Sequence, residues 1–521
     1  MSTASSGKAG LREWAGLAVL ALPTLLLAMD NTVLFLALPH LTVDLDPSST
    51  QMLWIMDVYS FLLAGFLIPM GSLGDRIGRR RLLLAGTVVF GAVSALAAYS
   101  TSAEMLIVTR ALMGVAGAAL MPSTLSLIRN MFTDAKERTT AITVWMGCFI
   151  LGIVLGPLLG GVLLESYWWG SVFIIAVPVM VLLLAAGLLL LPEYRNPEAG
   201  RLDLTSVAFS LAATLPVIYA LKKIVNDGFG WLPLVCLLAG LVSGVLFLRR
   251  QRRTDEPLID LALFTNPAFG SSLCVLTFSM CVMGSTFYLF TQYLQLVQGL
   301  SALRTGLWLL PAAAVMMLGA GAVPQLAQKI RPGVLIGSGL LVSSVGLVIL
   351  AQVDADSSRW LLIAGFLVLM VGLTPIMILG VDMIVGIAPP QKAGSASALS
   401  ETGSEFGVAL GLATLGSVCT AVYRSELESL PDSTPAGAAE GIRDTLASAM
   451  AVSEELPARL GAQVATAAQE AFVSGMQASA LTGAGLVAVT ALLALVLLRR
   501  VPLVAELTTE DDAPAAVPVE R

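Results

Sequence analysis

Charge is scarce in this chain. Only 12% of its 521 residues are Asp, Glu, Lys or Arg, about half of the roughly 25% usual for a soluble domain. Histidine is almost missing: His40 stands alone, which excludes a histidine-built metal site and argues against an enzyme that would need clustered catalytic groups. The five cysteines, Cys148, Cys236, Cys274, Cys281 and Cys419, lie in apolar stretches and read as small hydrophobes rather than disulfides or metal ligands. No basic patch of the nucleic-acid-binding kind is present, and no repeated carbonyl-forming motif suggests a channel filter. No cofactor or metal is expected.

Apolar sequence is what abounds, at 57% of residues. Runs of about 20 apolar residues mark spanning helices, whereas a barrel would show alternating strands of about ten. Fourteen such runs are present, the first near 14–38 and the last near 476–498, so the chain reads as an all-α integral membrane protein. The first run lacks a clear small-residue cleavage site and reads as a span, not a leader. Basic residues gather in alternate loops: Arg76, Arg79, Arg80 and Arg81 after span 2, Arg129, Lys136 and Arg138 after span 4, and Arg249 to Arg253 after span 8. Positive loops face the cytoplasm, which places both termini there, although Lys222 and Lys223 dissent. The long loop 423–475 is expected as a short helical hairpin, divided at Pro457, over the outer mouth.

A few charges lie inside the spans. At 1.5 Å per residue, Asp30 in span 1, Asp57 in span 2 and Arg110 in span 4 fall in one layer about 9–13 Å from the outer boundary. Isolated charges there are costly, and a shared polar cavity relieves that cost. A structural ion pair between Arg110 and one acid is the plainer reading, but it leaves the second acid unexplained. Two acids and one base leave a carboxylate able to titrate, which suits a proton carrier and equally a pocket for an organic cation. In span 13, Glu401 and Glu405 are four residues apart and share a helix face. Asp382, near the end of span 12, reads as an interfacial acid. Trp54, Tyr59, Trp145, Phe149, Phe287 and Tyr288 are aromatics near these polar spans, suited to stacking on a flat cation.

Two glycine-rich stretches stand apart. LGIVLGPLLGG in span 5 holds Gly156, Pro157, Gly160 and Gly161, a composition that bends a helix and lets another approach. GSLGDRIGRRR, residues 71–81, adds Asp75 to its arginines. A topogenic signal needs the arginines but not the acid, so Asp75 reads as a latch at a helix end.

These stretches resemble a known family. GSLGDRIGRRR, through Gly71, Asp75, Arg76, Gly78, Arg79 and Arg80, resembles the loop 2–3 motif of the major facilitator superfamily. IVTRALMGVAGA resembles its span 4 motif, with Arg110 as the proton-associated arginine. LGIVLGPLLGG resembles its antiporter motif, and AMDNTVLFLALP the span 1 motif of the drug:proton antiporters. With fourteen spans, the chain is similar to the fourteen-helix branch of QacA-type multidrug exporters over essentially residues 10–500.

The resemblance implies two six-helix bundles, 14–195 and 256–498, with an inserted helix pair at 196–255, a cytoplasmic segment at 1–13 and an acidic cytoplasmic tail at 499–521. It implies a monomeric secondary transporter of the bacterial cytoplasmic membrane, exporting lipophilic cations against protons by alternating access. Asp30, Asp57, Arg110 and Glu401 would carry the coupling, and Asp30, Asp57, Glu401, Glu405, Trp54 and Tyr59 the substrate. The glycines and arginines of 71–80, with Gly156, Pro157, Gly160 and Gly161, would serve gating. Export of a neutral or anionic compound is the alternative. One departure stands out: where a member of the branch carries an aspartate in span 10, this chain has Met316, which disfavours rigid dications.

Overall fold

The structure is a computed structural model. It describes residues 9–499 except 46, 48, 196–202, 228–229, 255–256, 258, 260, 355–358, 390–392, 428–438, 440 and 444; the side chains of Asp57 and Pro157 also lie outside the described residues. Among the described residues there is no strand.

The helices, in chain order, begin with α1 (Leu11–Leu45), α2 (Ser49–Ile77), α3 (Arg79–Ala98), α4 (Ala103–Met131), α5 (Ala135–Ser166), α6 (Ser171–Ile174), α7 (Ala176–Leu190), α8 (Leu204–Asp227) and α9 (Trp231–Gln251). They continue with α10 (Pro267–Gln292), α11 (Ala302–Ala327), α12 (Pro332–Leu350), α13 (Arg359–Pro375), α14 (Val381–Ile387), α15 (Ala393–Gly411) and α16 (Ser417–Glu426), then α17 (Leu446–Glu455) and α18 (Ala458–Leu497). Among the described residues thirteen helical stretches are long and apolar enough to cross a membrane, and a shorter apolar one, Leu204–Ala220, lies in α8. In lipid the backbone must satisfy itself, so apolar runs of this length become helices. Their exposed starts are capped where the sequence allows. The Ser102 hydroxyl accepts from the Met105 amide at 3.2 Å. The Asp134 carboxylate accepts from the Lys136 and Glu137 amides at 3.0 and 2.9 Å.

The packing forms two halves. In the first, α1 lies against α5, and α4 lies against both α2 and α3, while α7 backs α3. In the second, α12 lies against α13 and α18, and α10 against α15. The halves meet where α2 and α4 touch α15 and where α5 touches α11. The α8–α9 pair packs on itself, on α2 and, through α8, on α15 and the turn Leu412–Gly416 that follows α15. It is closed at the arginine-rich end by Arg250, whose Nε and Nη2 donate to Asp203 at 2.8 and 3.1 Å. That guanidinium holds the Asp203 carboxyl well below the usual carboxylate range.

A π-helical turn ends the α10 span at Tyr293–Val297, and two further spans of the second half are interrupted by such turns at Ile376–Gly380 and Leu412–Gly416. Such turns shift the helix face by a fraction of a turn. The one at Ile376–Gly380 joins α13 to α14. At the opposite end, α17 packs on the start of α18, with Pro457 at the junction. The second arm of this hairpin is continuous with the last span, a single helix of 40 residues. Gln469 ties it to the end of the α10 span by donating to the Leu296 carbonyl at 2.9 Å.

Candidate functional site

Two polar groupings lie within the apolar body. The first is in the first half. The Arg110 guanidinium of α4, fully buried, donates from Nη1 to the Asp30 carboxylate of α1. Its Nε reaches the Ile55 carbonyl at 3.4 Å, and its guanidinium carbon sits 4.5 Å from the centre of the Tyr59 ring. Pairing on one side and a π face on the other are what a guanidinium needs when removed from water. Small residues make room: a Cβ on Gly117 would lie 3.4 Å from the Tyr59 hydroxyl. The side chain of Asp57, the third member of the expected layer, lies outside the described residues.

The second grouping is a cavity of about 260 Å³ between the halves. Its wall is drawn from α4 (Met121), α5 (Trp145, Met146, Phe149, Ile150, Ile153), α10 (Met280, Met283, Gly284, Phe287), α11 (Leu309, Ala312, Ala313, Met316) and the span 12 segment (Phe366, Met370, Met377, Val381). One face is polar: α15 presents Glu401, Ser404 and Glu405, with Val408 next to them. Among the described residues, Glu401 and Glu405 are the only charged groups in the wall. Eight residues into α15, Glu401 stands roughly 12 Å from that helix's start, and Glu405 about one turn further. A chamber of thioethers and aromatic rings with carboxylates on one side attracts an apolar body carrying positive charge.

The sequence profile described as Major Facilitator Superfamily matches residues 20–412. The chain belongs to the major facilitator superfamily. It is 44% identical to the multidrug efflux pump LfrA of Mycolicibacterium smegmatis, covering 96% of this chain and 99% of that protein. It is 32% identical to the methyl viologen resistance protein SmvA of Salmonella typhimurium, covering 89% and 93%. The crystal structure of the human organic anion transporter MFSD10 superposes with a TM-score of 0.60 at 15% identity, over 92% of this chain and 99% of that one, which speaks for the fold. Family and relatives make this chain a multi-span membrane transporter rather than an enzyme.

Within this superfamily fold the expected residues separate into groups. Glu401 and Glu405 line the cavity, with Trp145, Phe149 and Phe287. Asp30, Arg110 and Tyr59 form the cluster of the first half and are not among the residues lining the cavity. Trp54 belongs to neither. It is 39% exposed and stacks on Tyr219 of the α8–α9 pair, with ring centres 6.2 Å apart. Tyr288 is exposed on α10. Met316, where an acid was noted as missing, lines the cavity.

The 71–81 loop is bound within the first half. Arg79 Nε donates to Asp75 at 2.9 Å, and the Arg79 amide donates to the Tyr194 carbonyl at 2.8 Å. Arg80 reaches the Leu188 carbonyl, Arg76 the Ser72 hydroxyl at 3.3 Å, and Gly71 is buried in α2. Gly78 turns the chain between α2 and α3 at a φ of 112°, a conformation that favours glycine. In span 5, Gly152 lies directly on the Leu25 carbonyl of α1 and Gly160 on Val33, while a Cβ on Gly161 would meet nothing within 4 Å. Gly156 is buried, and the Pro157 side chain lies outside the described residues.

The contact that crosses the halves at the arginine-rich end was not expected. Asp382, read from sequence as an interfacial acid, accepts from Arg138 Nε at 3.2 Å and from the Thr139 hydroxyl at 2.7 Å. Arg129 Nη2 donates to the Gly386 carbonyl at 3.2 Å. Sequence offered only the charges; their pairing across 244 positions needed the fold. The methionine lining was also missed, and the count of 20 methionines was its one signal.

Proposed function

We propose that this protein is a proton-coupled antiporter that exports lipophilic organic cations, such as quaternary ammonium compounds and cationic dyes, across the bacterial cytoplasmic membrane. The observation that carries this reading is the cavity between the halves, apolar and methionine-rich with Glu401 and Glu405 as its charged wall. The names of the relatives, a multidrug efflux pump and a methyl viologen resistance protein, support an amphiphilic cationic substrate.

In the cycle proposed, the cation enters from the cytoplasmic, arginine-rich side and displaces protons from the cavity carboxylates. The halves then rock about the α2–α15 and α5–α11 contacts. Protons arriving from outside return to the acids and release the cation. The Asp30–Arg110 pair carries the proton in the first half: protonating Asp30 removes the charge that Arg110 is bound to. The Asp382 clasp, one residue beyond the cavity-lining Val381, shuts the cytoplasmic end and must part for substrate entry. Each net positive charge moved inward draws about 2.3 kcal/mol from a 100 mV potential.

Purified protein in liposomes tests the reading. Ethidium taken up against its gradient when a pH gradient is imposed, with matching proton efflux, is the expected result. Transport of neutral or anionic compounds in preference to ethidium would turn the assignment to the other substrate class.

A further inference from the structure

Tyr59 was expected to stack on substrate, yet it is absent from the cavity wall. It is fully buried, and one face of its ring is occupied by Arg110. Its hydroxyl has no hydrogen-bond partner among the described residues, and neither has the Nη2 of Arg110. Buried donors left in this way are uncommon and call for a reason. Its helix α2 packs on both α4 and α15, and among the described residues Asp30 of α1, Arg110 of α4 and Glu405 of α15 bear on it electrostatically. Among the described residues α3 and α8, which also pack on α2, add none to that set, and the side chain of Asp57 on α2 itself lies outside the described residues. Tyr59 therefore stands where the buried pair of the first half meets the acidic wall of the second.

We propose that Tyr59 is a positioning residue that couples the proton state of Asp30 to Glu405 across the interface of the halves. The proposal rests on the antiport reading above. With Asp30 ionised, the guanidinium is held by that carboxylate and by the tyrosine ring. When Asp30 takes a proton from water, its hold on Arg110 weakens. The guanidinium stays on the ring and its positive field turns towards α15. The Tyr59 hydroxyl then donates to the Glu405 carboxylate and draws α15 onto α2, so that Glu405 is withdrawn from the cation. Loss of the proton from Asp30 back to water reverses the sequence. Tyr59 itself neither gains nor loses a proton; it sets which partner each charge has.

The test is Tyr59→Phe, which keeps the ring under Arg110 and removes only the hydroxyl. In proteoliposomes three quantities are read: ethidium uptake driven by a pH gradient, ethidium counterflow without one, and equilibrium ethidium binding. The expected result is a loss of driven uptake of about tenfold, within the range of coupling between sites, with counterflow and binding retained. In a double-mutant cycle, Tyr59→Phe added to Glu405→Gln should lower driven uptake no further than Glu405→Gln does alone. Driven uptake equal to wild type, or independent additive losses in the cycle, overturns the proposal. An equal loss of binding and uptake overturns it too and returns Tyr59 to the substrate wall. Wild-type protein that moves ethidium without protons removes the antiport reading itself, a failure visible before any variant is made.

Discussion

The Thr139 hydroxyl and the Asp382 carboxylate are joined by a 2.7 Å hydrogen bond that runs from the first half of the molecule to the second. Arg138, the preceding residue, binds the other oxygen of the same carboxylate at 3.2 Å. One acid thus holds two neighbours of the opposite half directly beneath the cavity. Asp382→Asn removes the charge and one acceptor, a change worth about 1–3 kcal/mol for a largely buried group. The expected outcome is a shift towards the state open at the arginine-rich end. Spin labels placed on either side of the clasp should report longer distances; an unchanged distribution would mean that the clasp does not hold the closed state.

Asp30→Asn removes the one counter-charge that the fully buried Arg110 has among the described residues. Driven ethidium export should fall about 5- to 150-fold, the range of free-energy coupling between linked sites. Some loss of thermal stability should accompany it, because an unpaired buried charge is unfavourable. Efflux measured at matched expression decides the matter: normal proton-driven export in this variant would remove Asp30 from the coupling path.

The span 5 glycines should not be equivalent. Gly152 has no room for a Cβ against the Leu25 carbonyl, whereas Gly161 faces open space. Gly152→Ala should force α1 and α5 apart at an overpacking cost of about 1–3 kcal/mol. Gly161→Ala should be neutral or stabilising by up to about 1 kcal/mol, since alanine is the better helix former. Thermal melting in detergent compares the two; equal effects would contradict the close α1–α5 contact.

Met316 lines the same cavity as Glu401 and Glu405 but comes from α11, on a different helix from both acids. Met316→Asp should raise export of rigid dications relative to monovalent ethidium by about an order of magnitude, comparable with a new charge-assisted contact of 1.5–3 kcal/mol. Paired efflux assays with the two cation classes measure the ratio. A wild type that already exports both equally well would show that the two glutamates of α15 suffice.

Asp203, just ahead of the apolar stretch Leu204–Ala220, gives a pH dependence from a group outside the membrane-spanning stretches. The folded carboxyl has its pKa lowered by Arg250, so its contribution to stability is present above the ordinary carboxylate range and is lost as pH falls through the folded value. Asp203→Asn should lower the melting temperature at pH 7, and the gap to wild type should close as the solution is taken below about pH 4, the unfolded carboxylate's value. A gap that widens on acidification would contradict the assignment.

The chain's sequence by itself determined that it crosses the membrane many times as helices. Apolar runs of spanning length have no other stable form in lipid, and charge has almost no place among them. The sequence also singled out Asp30, Arg110, Glu401 and Glu405, because a charge inside an apolar run is conspicuous. It could not say which charges meet. Depth along a helix is legible at 1.5 Å per residue, but rotation about the helix axis and the choice of neighbouring helix depend on packing. Tertiary structure therefore decided that Arg110 lies on Asp30 and Tyr59 while Glu401 and Glu405 line a separate chamber. It decided that Trp54 faces the α8–α9 pair. It also turned Asp382 from an interfacial acid into a clasp between halves, since Arg138 and Thr139 are brought to it only when α5 and α14 are set side by side.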